Sequence, residues 1–172
     1  ETVLGETTPL PVTIQQNDLK MEYSAQTSYR ATALYNVFVM KRTAAEVMEL
    51  FKQVANEAAD DCNANYQRIC SREGVDPVGE IRVLKYEELL KHAVDKFGAD
   101  YVDTVKTTVR DHMEWDDREK SFRIVDTLLI QCQELAPAMV LLYAPPYYPA
   151  VNTSEDPLVE ECVKFVKQFG TS

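Results

Sequence analysis

Two histidines, four cysteines and several adjacent acidic pairs are the residues of this chain whose types could carry chemistry. His92 and His112 are the possible general bases or metal ligands. Neither stands in an H-x-D, H-x-x-x-H or H-E-x-x-H spacing, the patterns that aim two ligating groups at one ion. Both fall in amphipathic helical patterns and read as surface or boundary histidines. Cys62, Cys70, Cys132 and Cys162 form no C-x-x-C and no Cys/His cluster, so no zinc site is expected from spacing. Cys62 and Cys70 share one predicted helix, about 12 Å apart along its axis, too far for a disulfide. Thiols in apolar helical stripes are small core residues and usually inert.

Adjacent acidic pairs occur at Asp60-Asp61, Glu87-Glu88, Asp116-Asp117 and Glu160-Glu161. Helix neighbours point about 100° apart, so such a pair is not by itself a shared acid/base site. Solvated faces and helix N-terminal charges account for them better. A nucleophile elbow G-x-S-x-G is absent, as is a glycine-rich phosphate loop, and the chain has five glycines in all. Pro145-Pro-Tyr-Tyr148 matches P-P-x-Y, a WW-domain ligand pattern, and Pro146-Tyr-Tyr-Pro149 matches P-x-x-P. Both are short, and a stiff crossover between structural layers is the simpler reading. No catalytic, cofactor-binding or metal-binding residue is therefore assigned, and no cofactor is expected in this chain.

The elements that would position any such groups follow from composition and periodicity. The 172 residues are enough for one domain with a real core. A net charge of −10 argues against nucleic acid and against anionic membrane surfaces as partners. No apolar run approaches a membrane span, and no basic-then-apolar leader is present. The first residue is Glu1, not Met, which suggests processing or excision from a longer polypeptide. A reducing cytoplasm is the expected compartment.

Residues 1–28 are polar and read as an arm or linker, with a possible edge strand at Val12-Thr-Ile14. A strand is predicted over Tyr29–Met40. Thr43 and Glu46 form a T-x-x-E capping box, opening a long helix whose expected apolar face runs Val47, Phe51, Val54, Ala58, Cys62, Tyr66 and Ile69 to a stop near Gly74. Glu80–Leu84 alternates as a half-buried strand. Three helices follow: one through Tyr86, Leu89, Ala93 and Phe97, one through Val102, Val105 and Val109, and one through Val125, Leu128 and Cys132. Trp115, between the last two, is expected to anchor their loop. Ala138–Tyr143 is a short apolar run suited to a buried strand. Asp156-Pro157 opens a last helix ending at Gly170. The order implies an α+β fold, with a ferredoxin-like split βαβ core of three to four strands, inserted helices, and helices on one face.

Four segments, taken together in order, carry a family resemblance: Tyr35-Asn-Val-Phe-Val-Met-Lys-Arg42, Thr43-Ala-Ala-Glu-Val47, Arg82-Val-Leu-Lys-Tyr-Glu-Glu-Leu89 and Tyr143-Ala-Pro-Pro-Tyr-Tyr-Pro149. From about Pro11 to Gly170 the chain resembles the arginine-utilisation (RocB-like) branch of the zinc-dependent peptidases that include aminoacylases, carboxypeptidase G and succinyl-diaminopimelate desuccinylase. The resemblance implies a smaller lid domain of ferredoxin-like fold, inserted in a di-zinc catalytic domain, that closes over substrate and forms dimers. On this reading 1–28 is an arm from a missing catalytic domain, 29–144 the lid-like domain, and 145–172 the crossover and a C-terminal helix. The family's H-x-D, bridging Asp, catalytic Glu-Glu and histidine ligands have no counterpart here, so zinc is expected only in the missing domain. The expected role is a non-catalytic lid and homodimerisation domain, with Tyr35, Phe38 and the helix from Thr43 as interface material. A free-standing ligand-binding or regulatory domain, and an adaptor displaying P-P-x-Y, remain the alternatives.

Overall fold

A computed structural model describes residues 1–3, 5–19, 28, 30–148 and 156–170. Tyr29, where the predicted strand opens, positions 20–27 of the expected arm, and Pro149 of the P-x-x-P match lie outside the described residues. The chain divides into two compact units, Glu1–Thr43 with Tyr148–Ser172, and Ala44–Tyr147.

In the first unit, two short strands, β1 (Thr2–Val3) and β2 (Glu6–Thr7), pair antiparallel around Gly5, whose φ of 86° lies in the left-handed region that glycine alone enters freely. Strands β3 (Val12–Asp18) and β4 (Ala31–Asn36) form an antiparallel ribbon. Its register runs from Val12 opposite Asn36 to Asp18 opposite Ala31, with an irregularity between Thr13 and Gln15. The edge strand expected at Val12 is thus present and longer. The strand expected up to Met40 ends its ladder at Asn36. The last helix, α5 (Pro157–Lys167), opens as the sequence demands: Pro157 stands in its first turn, and the Asp156 carboxylate accepts from the backbone N–H groups of Leu158 (2.9 Å) and Val159 (3.2 Å).

The second unit begins with α1 (Ala44–Glu73), which starts directly after Thr43 with Glu46 in its first turn, where the predicted capping box places it. It ends at Gly74, with φ of 68°, and the Val75 N–H donates to the Cys70 carbonyl at 3.0 Å, the C-terminal closure that a left-handed residue permits. The buried stripe of α1 is Met48, Ala55, Ala59 and Cys70, with Phe51 beside it. The expected stripe is displaced by about one residue: Val54 is 60% exposed, and Cys62, Tyr66 and Ile69 also face outward. The helix carries two adjoining apolar faces, and Ala55 and Ala59 lie on the one that packs inward. Small side chains there allow the helix to approach its neighbours.

Strand β5 (Arg82–Lys85) leads into α2 (Tyr86–Phe97), α3 (Ala99–Arg110), α4 (Asp117–Gln131) and a 3-10 turn (Gln133–Leu135) before β6 (Ala138–Leu141). β5 and β6 pair parallel, Arg82 opposite Ala138 through Lys85 opposite Leu141. The three helices between them make the long crossover that parallel pairing requires. The residues predicted to face inward do so: Leu89, Ala93, Val102, Val105, Val125, Leu128 and Cys132 form one buried cluster, joined by Val140 and Leu142. A second cluster joins Met48 and Ala55 of α1 to Leu141, with Phe51 and Val83 packed against it. Consecutive residues of the 138–142 run therefore face opposite layers. A continuous apolar run marks a strand covered on both faces, which corrects the expectation of helices on one face.

The fold is α+β. Its strands pair as three two-stranded ladders among the described residues, so the expected ferredoxin-like core of three to four strands is not assembled there, and the parallel β5–helices–β6 unit is a two-stranded βαβ-type crossover. The apolar runs call for pairing partners, but periodicity does not name them.

Candidate functional site

The densest group of chemically capable side chains in the second unit lies where α4 ends against α2. His92 and Lys96 are four residues apart on α2 and so share a face. Helix α4 stops at Cys132, whose φ of −106° and ψ of 50° leave the helical region while its N–H still bonds the Leu128 and Leu129 carbonyls. The 3-10 turn that follows brings Glu134 back over α2, and Pro137 disfavours further helix at Ala136.

The Glu134 carboxylate is the hub. Its Oε1 lies 2.7 Å from His92 Nε2, and Lys96 Nζ donates to both its oxygens at 2.8 Å. Lys96 also donates to the Gln131 carbonyl at 3.1 Å, a placement that suits a cation at the C-terminus of α4. The His92 hydrogen bond, then that of Lys96 and a backbone N–H, lower the Glu134 pKa to about 2. Cys132 is fully buried beneath them, and burial, reinforced by the Glu134 charge, pushes its thiol up from the usual range. One ligand atom each from His92, Cys132 and Glu134 lies within 4.8 Å of the other two. The arrangement can clasp the end of α4 to α2, and its N, S and O donors are of the kinds that bind a borderline-soft cation.

Sequence spacing did not reveal this group, because His92 and Glu134 are 42 residues apart and meet only through the α2–α4 packing. The remaining candidates are placed elsewhere. His112, expected in a helix, lies in the loop after α3. Its ring stacks on Trp115 at 3.9 Å between centroids, Arg123 stands over the other ring system at 5.0 Å, and His112 Nδ1 is 2.6 Å from a Glu114 oxygen. Trp115 thus has the loop-anchoring place expected of it. Cys70 and Cys132 are buried, while Cys62 and Cys162 are exposed, and all four are free thiols. The expectation of four buried thiols is corrected for Cys62 and Cys162, because each stands on a helix face left exposed among the described residues.

Of the four acidic pairs named from the sequence, three stand at helix starts. Glu88 accepts from the Lys85 N–H at 2.7 Å, Asp116 caps α4 by accepting from the Glu119 N–H at 2.8 Å, and Glu160 lies in the first turn of α5. Tyr143 leaves β6 with its hydroxyl donating to the Ala44 carbonyl, whereas Tyr147 and Tyr148 of the P-P-x-Y segment are exposed. An open depression of about 370 Å³ runs along α3, lined by Asp100, Asp103, Thr104, Thr107, Thr108 and Asp111. It is acidic and shallow, and its lining holds carboxylates and hydroxyls but no histidine, cysteine or lysine. Among the described residues, no helix is long and apolar enough to cross a membrane.

Two curated proteins of Bacillus subtilis (strain 168) are similar to this chain over nearly its whole length. The uncharacterized protein YqjN is 34% identical over 175 residues, 98% of this chain and 32% of YqjN. Protein RocB is 25% identical over 173 residues, 96% of this chain and 30% of RocB. No family model and no solved structure matches. The chain spans about a third of the length of the curated relatives it matches, and its relation to RocB is a distant one.

Proposed function

We propose that this chain is a non-catalytic lid and dimerisation module of a larger zinc-dependent peptidase or amidohydrolase of RocB-like type, connected with arginine use. The observation that carries the reading is one of extent: 96–98% of this chain aligns with only 30–32% of each relative. A segment of that proportion corresponds to one module of a longer protein, and the catalytic zinc would be held by the rest.

The dimerisation half of the reading is supported by the β3–β4 ribbon. Among the described residues these strands pair only with each other, and Val12, Ile14, Tyr35 and Phe38 in and beside them are about half exposed. A two-stranded ribbon is marginal alone, and its open edge is a ready template for a second copy about a two-fold axis. Four free thiols suit a reducing cytoplasm, the compartment we assign.

Reading the gene on either side of this segment tests the module assignment. An H-x-D motif upstream, with a Glu-Glu pair and histidine downstream in one frame, is the expected result. A frame that encodes no such flanking motifs would remove the basis for a peptidase lid.

A further inference from the structure

We infer that His92, Cys132 and Glu134 form a binding site for a borderline-soft divalent cation of the zinc type, with three protein ligands and one open position. The inference is independent of the lid reading, since it concerns the α2–α4 junction alone.

The donor set selects the ion. Imidazole nitrogen, thiolate sulfur and one carboxylate oxygen suit zinc or cobalt, whereas magnesium and calcium take oxygen sets. The geometry requires only side-chain adjustment. Tetrahedral zinc separates its ligand atoms by about 3.3–3.6 Å, and these three atoms already lie within 4.8 Å of one another. The His92–Glu134 pair, now at 2.7 Å, would open by about 0.6–0.9 Å, and the sulfur, within 4.8 Å of both, would close by at most about 1.5 Å. All three ligands stand on or directly beside rigid elements: α2, the last turn of α4 and the 3-10 turn.

The Lys96 ammonium, 2.8 Å from both Glu134 oxygens, shows that this corner attracts positive charge. Lys96 occupies the carboxylate in place of a second cation and must yield one oxygen when the ion binds, keeping its bond to the Gln131 carbonyl. Binding also releases the Cys132 thiol proton to solvent and needs His92 neutral with its lone pair on Nε2, so affinity rises with pH.

The test is titration of the 172-residue chain with cobalt(II), read by the thiolate-to-cobalt charge-transfer band. One equivalent is expected to bind, give that band, and be displaced by zinc. Cys132→Ser should abolish the band, while His92→Ala and Glu134→Gln should each weaken binding at least about tenfold. Lys96→Met should tighten binding severalfold by removing the competing ammonium, a result that a merely structural clasp does not give. Far-UV circular dichroism and Trp115 fluorescence check that the variants fold. If Cys132→Ser does not fold, the opposite signs of the His92→Ala and Lys96→Met effects decide the matter. A titration without the band overturns the inference, as does a band that survives in folded Cys132→Ser, which would place the thiolate at Cys62, Cys70 or Cys162.

Discussion

Replacing Leu128 with alanine tests the packing of the helical layer that builds the α2–α4 junction. Leu128 is fully buried on α4 among Leu89, Ala93, Val102, Val105, Val125 and Cys132. These neighbours come from three helices tied by short loops, so the site has little room to collapse when three carbons are removed. A loss of about 3 kcal/mol is expected, within the usual range for a buried Leu→Ala change. That is a factor of about 10² in the folded-to-unfolded ratio. With a urea dependence of about 1.5–2 kcal/mol per molar, the unfolding midpoint falls by about 1.5–2 M. Trp115 is the single tryptophan and lies in the second unit, so its fluorescence follows that unit specifically. Val78→Ala serves as the comparison, because Val78 in the same unit is 89% exposed and its truncation should move the midpoint by no more than about 0.3 M. A Leu128→Ala midpoint within about 0.3 M of the parent would refute the packing described for this layer.

Glu134 gives a pH prediction. Its pKa is lowered from 4.5 to about 2 in the folded chain, so its contribution is present above pH 4.5 and is lost as pH falls through the folded value; urea midpoints measured from pH 5 down to 2 should decline, and Glu134→Gln should flatten that decline. The carboxylate is half exposed, so added salt should also reduce the effect. Asn63 donates to the Ile81 carbonyl at 3.1 Å and accepts from the Ile81 N–H at 2.7 Å, pinning α1 to the start of β5; Asn63→Ala should cost about 1–3 kcal/mol by denaturant titration, and Asn63→Asp less. Asp116→Ala should lose about 1 kcal/mol through the missing cap of α4, while Asp116→Asn should retain most of it in the same titration.

Local chemistry made much of the fold readable in advance. Gly74 and Gly98 end helices where φ turns positive, Asp156-Pro157 opens one, and the Ala138 run is a strand. Each signal acts within a few residues. The inward face of α1 was not readable, because two apolar stripes about 100° apart fit the periodicity equally, and only the approach of β5 and β6 selects Ala55 and Ala59. Strand pairing was not readable either: Val83 and Met139 become neighbours through three intervening helices. The candidate site shares that limit. His92 looked like a lone surface histidine, and the bond to Glu134 exists only after α2 and α4 pack. Glu134 carried no local motif that could have signalled its role.

On the proposed reading the chain is a self-associating module of a longer protein rather than a complete catalyst. Sedimentation of the purified 172-residue chain across a wide concentration range tests that reading most directly. A concentration-dependent dimer is predicted, weakened by charged substitutions at Ile14 and Tyr35 on the exposed ribbon. A strict monomer at the highest concentrations would contradict the dimerisation role.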